Sequence, residues 1–145
     1  MIGLVQRVSE ASVSVNNEII GEIEQGMLVL LGVEKDDGPE QIEKLANKLC
    51  RYRSFSDSDG KMNLNVEQIG GKVLVVSQFT LVADTQKGNR PGFSRGATRE
   101  HGNAIYLQFI ESLRQKGIVV ETGQFGAEMK VALVNDGPAT FQFQV

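Results

Sequence analysis

The stretch SQFTL, residues 77–81, places polar side chains at the end of the most apolar segment of the chain. Ser77, Gln78 and Thr80 interrupt a run that would otherwise be wholly buried. Polar groups in such a place must find hydrogen-bond partners or contact a ligand. The stretch is therefore a candidate catalytic or binding site. The alternative is a strand whose Ser and Thr hydroxyls bond to neighbouring backbone.

A basic segment, QKGNRPGFSRGATREH, follows this stretch. A long loop without secondary structure of its own is uncommon in a compact domain and is often functional. Its cations suit phosphate groups, and its aromatic ring suits stacking or anchoring of the loop. The alternative is a solvated basic loop. The residues concerned are Lys87, Arg90, Phe93, Arg95 and Arg99.

The third candidate is NDGPAT, residues 135–140. Asp-Gly is a turn signal, Gly leaves the backbone approachable, and Pro makes it stiff. Most X-Pro bonds in folded proteins are trans. The residues alone therefore predict an ordinary turn before a last strand.

Several other motifs fail on inspection. In SDSDGKMNLNVE, a calcium loop with Gly60 in its sixth place would put Phe55 first and Val66 twelfth, so we predict a turn. Cys50 falls among the apolar positions of a helix and is expected to be a buried structural thiol. His101 is the only histidine, which excludes a histidine-rich zinc site. We predict neither a metal nor a cofactor.

Composition sets broad limits. A chain of 145 residues fits one domain, and its net charge of −3 requires any nucleic acid to meet a local basic patch. One cysteine forms no intrachain disulfide, which suits a reducing compartment. The start MIGLVQRVSE is not a signal peptide, and the longest apolar run, MLVLLGV, is too short to span a bilayer. We therefore expect a soluble cytoplasmic protein without a membrane partner.

Hydrophobic periodicity predicts a mixed α/β fold, a layered β-sheet or half-barrel with two to three helices packed on one side, in a single domain over residues 1–145. Asp36 or Asp37 is expected to cap the first helix, with Pro39 in its first turn, and Gly117 to follow the second. The predicted elements are a hairpin SEASVSVNNEIIGEIE, a strand GMLVLLGVE, a helix DDGPEQIEKLANKLCRYR, a strand IGGKVLVVSQFTLVA, a helix over about Asn103–Lys116, and strands GIVVETG, EMKVALVN and TFQFQV.

Together these residues resemble the D-aminoacyl-tRNA deacylase family over the whole chain. MIGLVQRVSEASVSV is similar to the family's opening, SQFTL and NDGPAT to its two signature motifs, and KGNRPGF to its intervening loop. Ala139 departs from the bulkier apolar residue of many relatives. The resemblance implies hydrolysis of the ester that joins a D-amino acid to the 3′-terminal adenosine of tRNA. It also implies removal of glycine mischarged on tRNA for alanine.

The resemblance further implies a homodimer in which Gly137-Pro138, as a cis dipeptide, enters the active site of the other subunit. If backbone fixes the substrate amino group, a rigid backbone wall rejects L-substrates by steric clash. The family pattern suggests that Arg7 braces this wall. It also points to Phe125 and Met129, in GQFGAEMKV, as the adenosine slot. The cations Lys87, Arg90 and Arg95 would meet the phosphates of the acceptor stem.

For the chemistry, we expect the backbone N–H of Phe79 to stabilise the oxyanion, and Ser77 and Gln78 to hold the ester and the terminal ribose. Thr80 has been viewed in the family as a nucleophile, against a route in which the ribose 2′-hydroxyl assists water. Because Thr80 has no companion His or Lys in its motif, we favour the second route. Two alternative hypotheses remain: the protein is a non-catalytic RNA-binding module, or it is a small-molecule esterase that pairs Ser77 with His101.

Overall fold

The fold has eight strands, two helices and one short 3-10 helix, described by a computed structural model of residues 1–145. In chain order they are β1 (Ile2–Val15), β2 (Glu18–Ile23), β3 (Gly26–Gly32), α1 (Pro39–Arg51), β4 (Phe55–Ser56), β5 (Met62–Leu64), β6 (Lys72–Ser77), the 3-10 helix (Phe79–Val82), α2 (Arg99–Gln115), β7 (Val120–Thr122) and β8 (Lys130–Gln144).

The long strand β1 organises the main sheet because it pairs antiparallel with three other strands. Strands β2 and β3 share one edge of β1, and β8 takes the other. Beyond β3 lie β6 and β7, each parallel to its neighbour. The predicted β1–β2 hairpin is confirmed: Asn16 and Asn17 have φ of 51° and 65°, the left-handed conformations that a tight hairpin turn requires.

The sheet curls until its two ends meet. A Cβ atom placed on Gly21 of β2 would lie 2.5 Å from the carbonyl oxygen of Thr122 in β7, so only glycine permits this approach. Both helices pack on one face of the sheet over a core of 21 buried residues. A second cluster of 7 buried residues fills the inside of the curl. The predicted mixed α/β half-barrel is therefore confirmed.

The two helices begin at other residues than predicted. Helix α1 begins at Pro39 after Gly38, because the carboxylate of Asp37 is engaged elsewhere. It accepts from the Glu34 N–H and from the Met1 amino group, each at 2.7 Å, so the predicted aspartate cap is wrong. Helix α2 begins at Arg99, because the Thr98 hydroxyl caps it. Neither helix combines the length and hydropathy needed to cross a membrane.

The two predicted C-terminal strands are one strand, β8, in the structure. It pairs with β1 on both sides of an irregularity, where Asn135 faces Val8 and Thr140 faces Gln6. Residues 136–139 of β8 therefore bulge out opposite the single residue Arg7. The Gly-Pro pair lies inside a strand, in this bulge, and the predicted turn before a last strand is wrong.

Candidate active site

A cavity of about 310 Å³ opens where β3 and β6 end. Ser77 faces Leu31 across the parallel pair, so the carboxyl ends of both strands reach the same edge of the sheet. Ligands of sheets with parallel strands commonly bind at this edge. The cavity is lined by Leu31, Val33, Ser77, Phe79, Val82, Phe93, Gly96, Ala97, Thr98, Arg99, Gly102, Phe125 and Gly126.

The SQFT motif lies at the rim of this cavity. Strand β6 ends at Ser77, and the N–H of Gln78 donates to the Leu31 carbonyl at 2.8 Å before the chain turns into the 3-10 helix. Phe79 is the first residue of that helix, so its N–H has no acceptor within the helix. Thr80 is exposed, does not line the cavity, and accepts a hydrogen bond from the Gln78 amide.

The lining contains no carboxylate, imidazole, thiol or ammonium group, and Arg99 is its only ionisable side chain. His101 lies outside the lining, and its Nε2 donates to the Asp37 carbonyl at 2.8 Å. No hydrogen bond joins His101 to Ser77. The cavity thus offers backbone N–H groups, the hydroxyls of Ser77 and Thr98, the Arg99 guanidinium and apolar walls, and it contains no side chain that is an ordinary general base.

The apolar wall of the cavity is fixed by α2. The Phe125 ring lies 5.7 Å from the Tyr106 ring, and a Cβ on Gly102 would lie 3.3 Å from Phe125. Tyr106 is buried and donates to the Val75 carbonyl at 3.0 Å, and burial raises its pKa to about 12. Met129 does not line the cavity, because it packs against the cluster inside the curled sheet.

The bulge of β8 presents Gly137-Pro138 to solvent, and the bond between them is cis. On one side, Arg7 Nε donates to the Asp136 carbonyl at 2.8 Å, and Arg7 Nη1 donates to Ser54. On the other side, the N–H of buried Ala139 donates to the side chain of Asn135 at 2.8 Å. The dipeptide is therefore exposed, held at both ends, and absent from the lining of the cavity described above.

The loop cations are placed differently from one another. Lys87 and Arg90 are exposed on a loop closed by a bridge between Asp84 and Gly92. Arg95 is also exposed, and its Nη2 lies 3.5 Å from a backbone carbonyl. Only Arg99 lines the cavity. Thr98 is a typical helix-capping residue, so the sequence could have predicted that Arg99 begins the helix rather than belonging to the loop.

Residues 4–144 match the family model described as D-Tyr-tRNA(Tyr) deacylase. The chain belongs to this family. A protein of Alteromonas mediterranea named D-aminoacyl-tRNA deacylase is 75% identical over 145 residues, 100% of each chain. The resemblance noted from the motifs is therefore confirmed, as is the expectation of a hydrolase of the D-aminoacyl-tRNA deacylase class.

Two solved structures have the same fold as this chain. One, titled c-Myc DNA Unwinding Element Binding Protein, is 38% identical, with a TM-score of 0.95 over 100% of this chain and 99% of that one. The other, titled as a probable eukaryotic D-amino acid tRNA deacylase, has a TM-score of 0.87 at 18% identity over 99% of this chain and 98% of that one. At 18% identity, the second likeness shows only that the two chains share a fold.

Proposed function

We propose that this protein hydrolyses the ester bond of D-aminoacyl-tRNA and releases the D-amino acid and the tRNA. The observation that carries this proposal is a cavity with a backbone N–H at its rim and no basic or acidic side chain other than Arg99 in its lining. An aminoacyl ester is already activated, so it needs an oxyanion site and a positioned nucleophile more than a strong protein base. A tRNA substrate also agrees with a cytoplasmic location.

In the proposed mechanism, water adds to the ester carbon and the Phe79 N–H stabilises the resulting oxyanion. The proton of the water passes through the ribose 2′-hydroxyl to the departing 3′-oxygen. Ser77 and Gln78 hold the ester and the ribose. Thr80 acts as a positioning residue, because its hydroxyl accepts from the Gln78 amide and does not reach the lining of the cavity.

The chiral filter in this proposal is Gly137-Pro138 of a second subunit. The dipeptide is exposed and braced by Arg7, so it can meet a partner without losing its support. A backbone wall cannot rotate away as a side chain can, and it rejects an L-side chain by steric clash. Glycine has no side chain to reject, so glycine mischarged on tRNA for alanine would also be hydrolysed.

Exposed aromatic residues at the mouth of the cavity support the homodimer. Phe79 is 68% exposed and Phe93 41% exposed, and their ring centroids lie 5.1 Å apart. Adjacent exposed rings of this kind mark interaction sites more often than single apolar residues do. A second copy that brings its dipeptide to the cavity would cover these rings, and the twofold symmetry of a dimer would create two such sites.

We further propose that the terminal adenine stacks on Phe125, whose ring lines the cavity and packs against Tyr106. Met129 contributes indirectly, since its Sδ accepts from the Gln124 N–H at 3.4 Å and supports the segment before Phe125. Lys87, Arg90 and Arg95 are placed by this proposal against acceptor-stem phosphates. Binding through so few cations would be weak and sensitive to salt.

The test compares hydrolysis of D-aminoacyl-tRNA, L-aminoacyl-tRNA and simple D-amino acid esters. The proposal requires hydrolysis of the D-aminoacyl-tRNA alone or nearly alone. Binding of tRNA without hydrolysis would favour a non-catalytic RNA-binding module. Hydrolysis of simple esters with a pH profile set by His101, and indifference to RNA, would favour the small-molecule esterase.

A further inference from the structure

A second cavity, of about 670 Å³, lies beside α1 and is lined by four basic side chains and no acidic one. We call it the basic cavity. Its lining is Lys44, Asn47, Lys48, Arg51, Tyr52, Arg53, Met62 and Phe141. The whole chain has a net charge of −3, so this local excess of positive charge is not a consequence of composition. Such a surface attracts anions.

The helix and β8 build this cavity together. Lys44, Lys48 and Arg51 follow one another at spacings of four and three residues, so they share the face of α1 opposite its buried stripe. The Tyr52 ring stands edge-on to the rings of Phe141 and Phe143, at 5.0 and 4.8 Å. The basic cavity therefore combines a row of cations with an aromatic floor.

Two of the four cations, Lys48 and Arg51, make neither an ion pair nor a side-chain hydrogen bond. Lys44 pairs with Glu40 at 2.6 Å, and Arg53 donates through Nε to the Asn63 carbonyl. Lys48 and Arg51 form no ion pair. Lys48 Nζ instead lies 5.4 Å from the centre of the Tyr52 ring. These two side chains can bind an anion without first breaking an existing pair.

The basic cavity adjoins the Gly-Pro bulge. Phe141 follows Pro138 by three residues, which along a strand corresponds to about 10 Å. The two hydrogen bonds of Arg7, to the Ser54 and Asp136 carbonyls, fix the end of the α1 segment against the bulge. Wherever the dipeptide docks, the basic cavity arrives beside it.

We propose that the basic cavity of one subunit binds phosphates of the RNA strand whose 3′-terminal adenosine occupies the partner subunit's active site. This inference rests on the proposed function, including the dimer. Cations interleaved with aromatic rings are the surface that single-stranded nucleic acids bind, through phosphate contacts and base stacking. The unpaired 3′ end of tRNA is such a strand, and it leads directly to the ester.

The first test is the double variant Lys48→Ala with Arg51→Ala, assayed with two substrates. We expect kcat/KM for D-aminoacyl-tRNA to fall about tenfold at low salt. The negative slope of log kcat/KM against log salt should become shallower by about 1.4, or about 0.7 for each lost phosphate contact. Hydrolysis of a D-aminoacyl ester of adenosine, which has no phosphates, should be unchanged. The control is Lys72→Ala with Lys130→Ala, which removes two exposed cations elsewhere and should leave both substrates unaffected.

An unchanged rate and salt slope for D-aminoacyl-tRNA would overturn the inference while leaving the proposed function intact. Equal losses on both substrates would overturn it too, since they would indicate a structural effect. Wild-type protein that hydrolyses neither substrate would instead refute the proposed function.

Mixed dimers test which subunit's basic cavity is used. One subunit carries Ala97→Trp, which fills its active-site cavity, and the other keeps an open cavity. The Lys48→Ala and Arg51→Ala changes should slow hydrolysis when they are in the blocked subunit, and not when they are in the open one. The reverse pattern would show that the basic cavity serves its own subunit and would overturn the inference.

Discussion

The guanidinium group of Arg7 donates to the carbonyl oxygen of Asp136 at 2.8 Å. It also donates to the Ser54 carbonyl at 2.8 Å, so one side chain of β1 joins the β8 bulge to the segment after α1. Hydrogen bonds from a charged donor are stronger than those between neutral groups. Residues 136–139 make no backbone pairing with β1, and it is the Arg7 side chain of β1 that holds the exposed Gly137-Pro138 dipeptide.

Gly137→Ala should disturb this arrangement. Gly137 has φ of +133°, and an added Cβ would lie 2.5 Å from Arg7 Nη2. The hydrogen bonds of Nε and Nη1 hold this guanidinium group in place. We expect the free energy of unfolding to fall by about 1–3 kcal/mol. The preference for D- over L-aminoacyl-tRNA, as a ratio of kcat/KM, should fall at least about tenfold, because small misplacements of positioning groups are costly.

The matched control for Gly137→Ala is Gly60→Ala. Gly60 also has a positive φ, +77°, but an added Cβ would have no atom within 4 Å. It should lose stability through backbone strain alone and keep the preference for D-substrates. A normal preference in Gly137→Ala would contradict the role given to the bulge.

Thr80→Val should leave kcat for D-aminoacyl-tRNA within about tenfold of the wild type, since a positioning hydrogen bond contributes about 0.5–1.5 kcal/mol. The change removes the hydroxyl that accepts from the Gln78 amide and keeps the shape of the side chain. Single-turnover kinetics with saturating enzyme would measure the rate constant of hydrolysis. Thr80→Ser is the conservative control. Near-total loss of turnover with intact tRNA binding would mean that Thr80 is the nucleophile.

Phe125→Ala and Met129→Ala form a pair that tests the adenosine slot. Stacking of a base on an aromatic ring is worth about 1–3 kcal/mol. Phe125→Ala should therefore raise KM roughly 5- to 150-fold for both D-aminoacyl-tRNA and a D-aminoacyl ester of adenosine. Met129→Ala should lower stability, because Met129 packs inside the curled sheet, and should raise KM far less than Phe125→Ala does. Equal effects of both changes on KM would place Met129 in the slot.

Tyr106→Phe tests the buried hydroxyl behind Phe125. At neutral pH the variant should lose about 0.5–1.5 kcal/mol of unfolding free energy, the contribution of one hydrogen bond. Burial raises the pKa of Tyr106 to about 12 in the folded protein, so between pH 10 and 12 the unfolded state releases this proton first.

Tyr106 therefore lowers the stability of the wild type as pH rises through that range, by roughly 1 kcal/mol per pH unit. The phenylalanine variant lacks the titrating hydroxyl and therefore this pH dependence. The stability difference between the two proteins should shrink between pH 10 and 12. Urea unfolding at pH 7, 10 and 11 would measure the difference. A stability difference that stays constant with pH would contradict the raised pKa of Tyr106.

The sequence predicts those parts of the fold that local patterns specify. Two consecutive asparagines at the β1–β2 turn, and polar residues at the end of an apolar run, are both local signals, and both lie where they were expected. The aspartate cap of α1 failed because Asp37 binds the Met1 amino group, which is 36 residues away in sequence. No local pattern contains that contact.

Strand β8 shows the same limit on a larger scale. Asp-Gly-Pro interrupts its alternation, and only the shared partner β1, far away in sequence, makes the two halves one strand.

The position of Met129, by contrast, could have been predicted from the sequence. Met129, Val131 and Leu133 alternate, and all three pack against the same cluster inside the curl. That period of two identifies Met129 as a residue of the sheet interior.

The composition of the active-site lining has a consequence for chemical damage. Alkylating agents and peroxides attack thiolates, thioethers, amines and imidazoles, and none of these groups lines the cavity. The single thiol, Cys50, is in α1, where burial raises its pKa and so limits the reactive thiolate. We therefore expect the proposed activity of this cavity to survive oxidants and electrophiles that inactivate hydrolases built around a cysteine or a histidine.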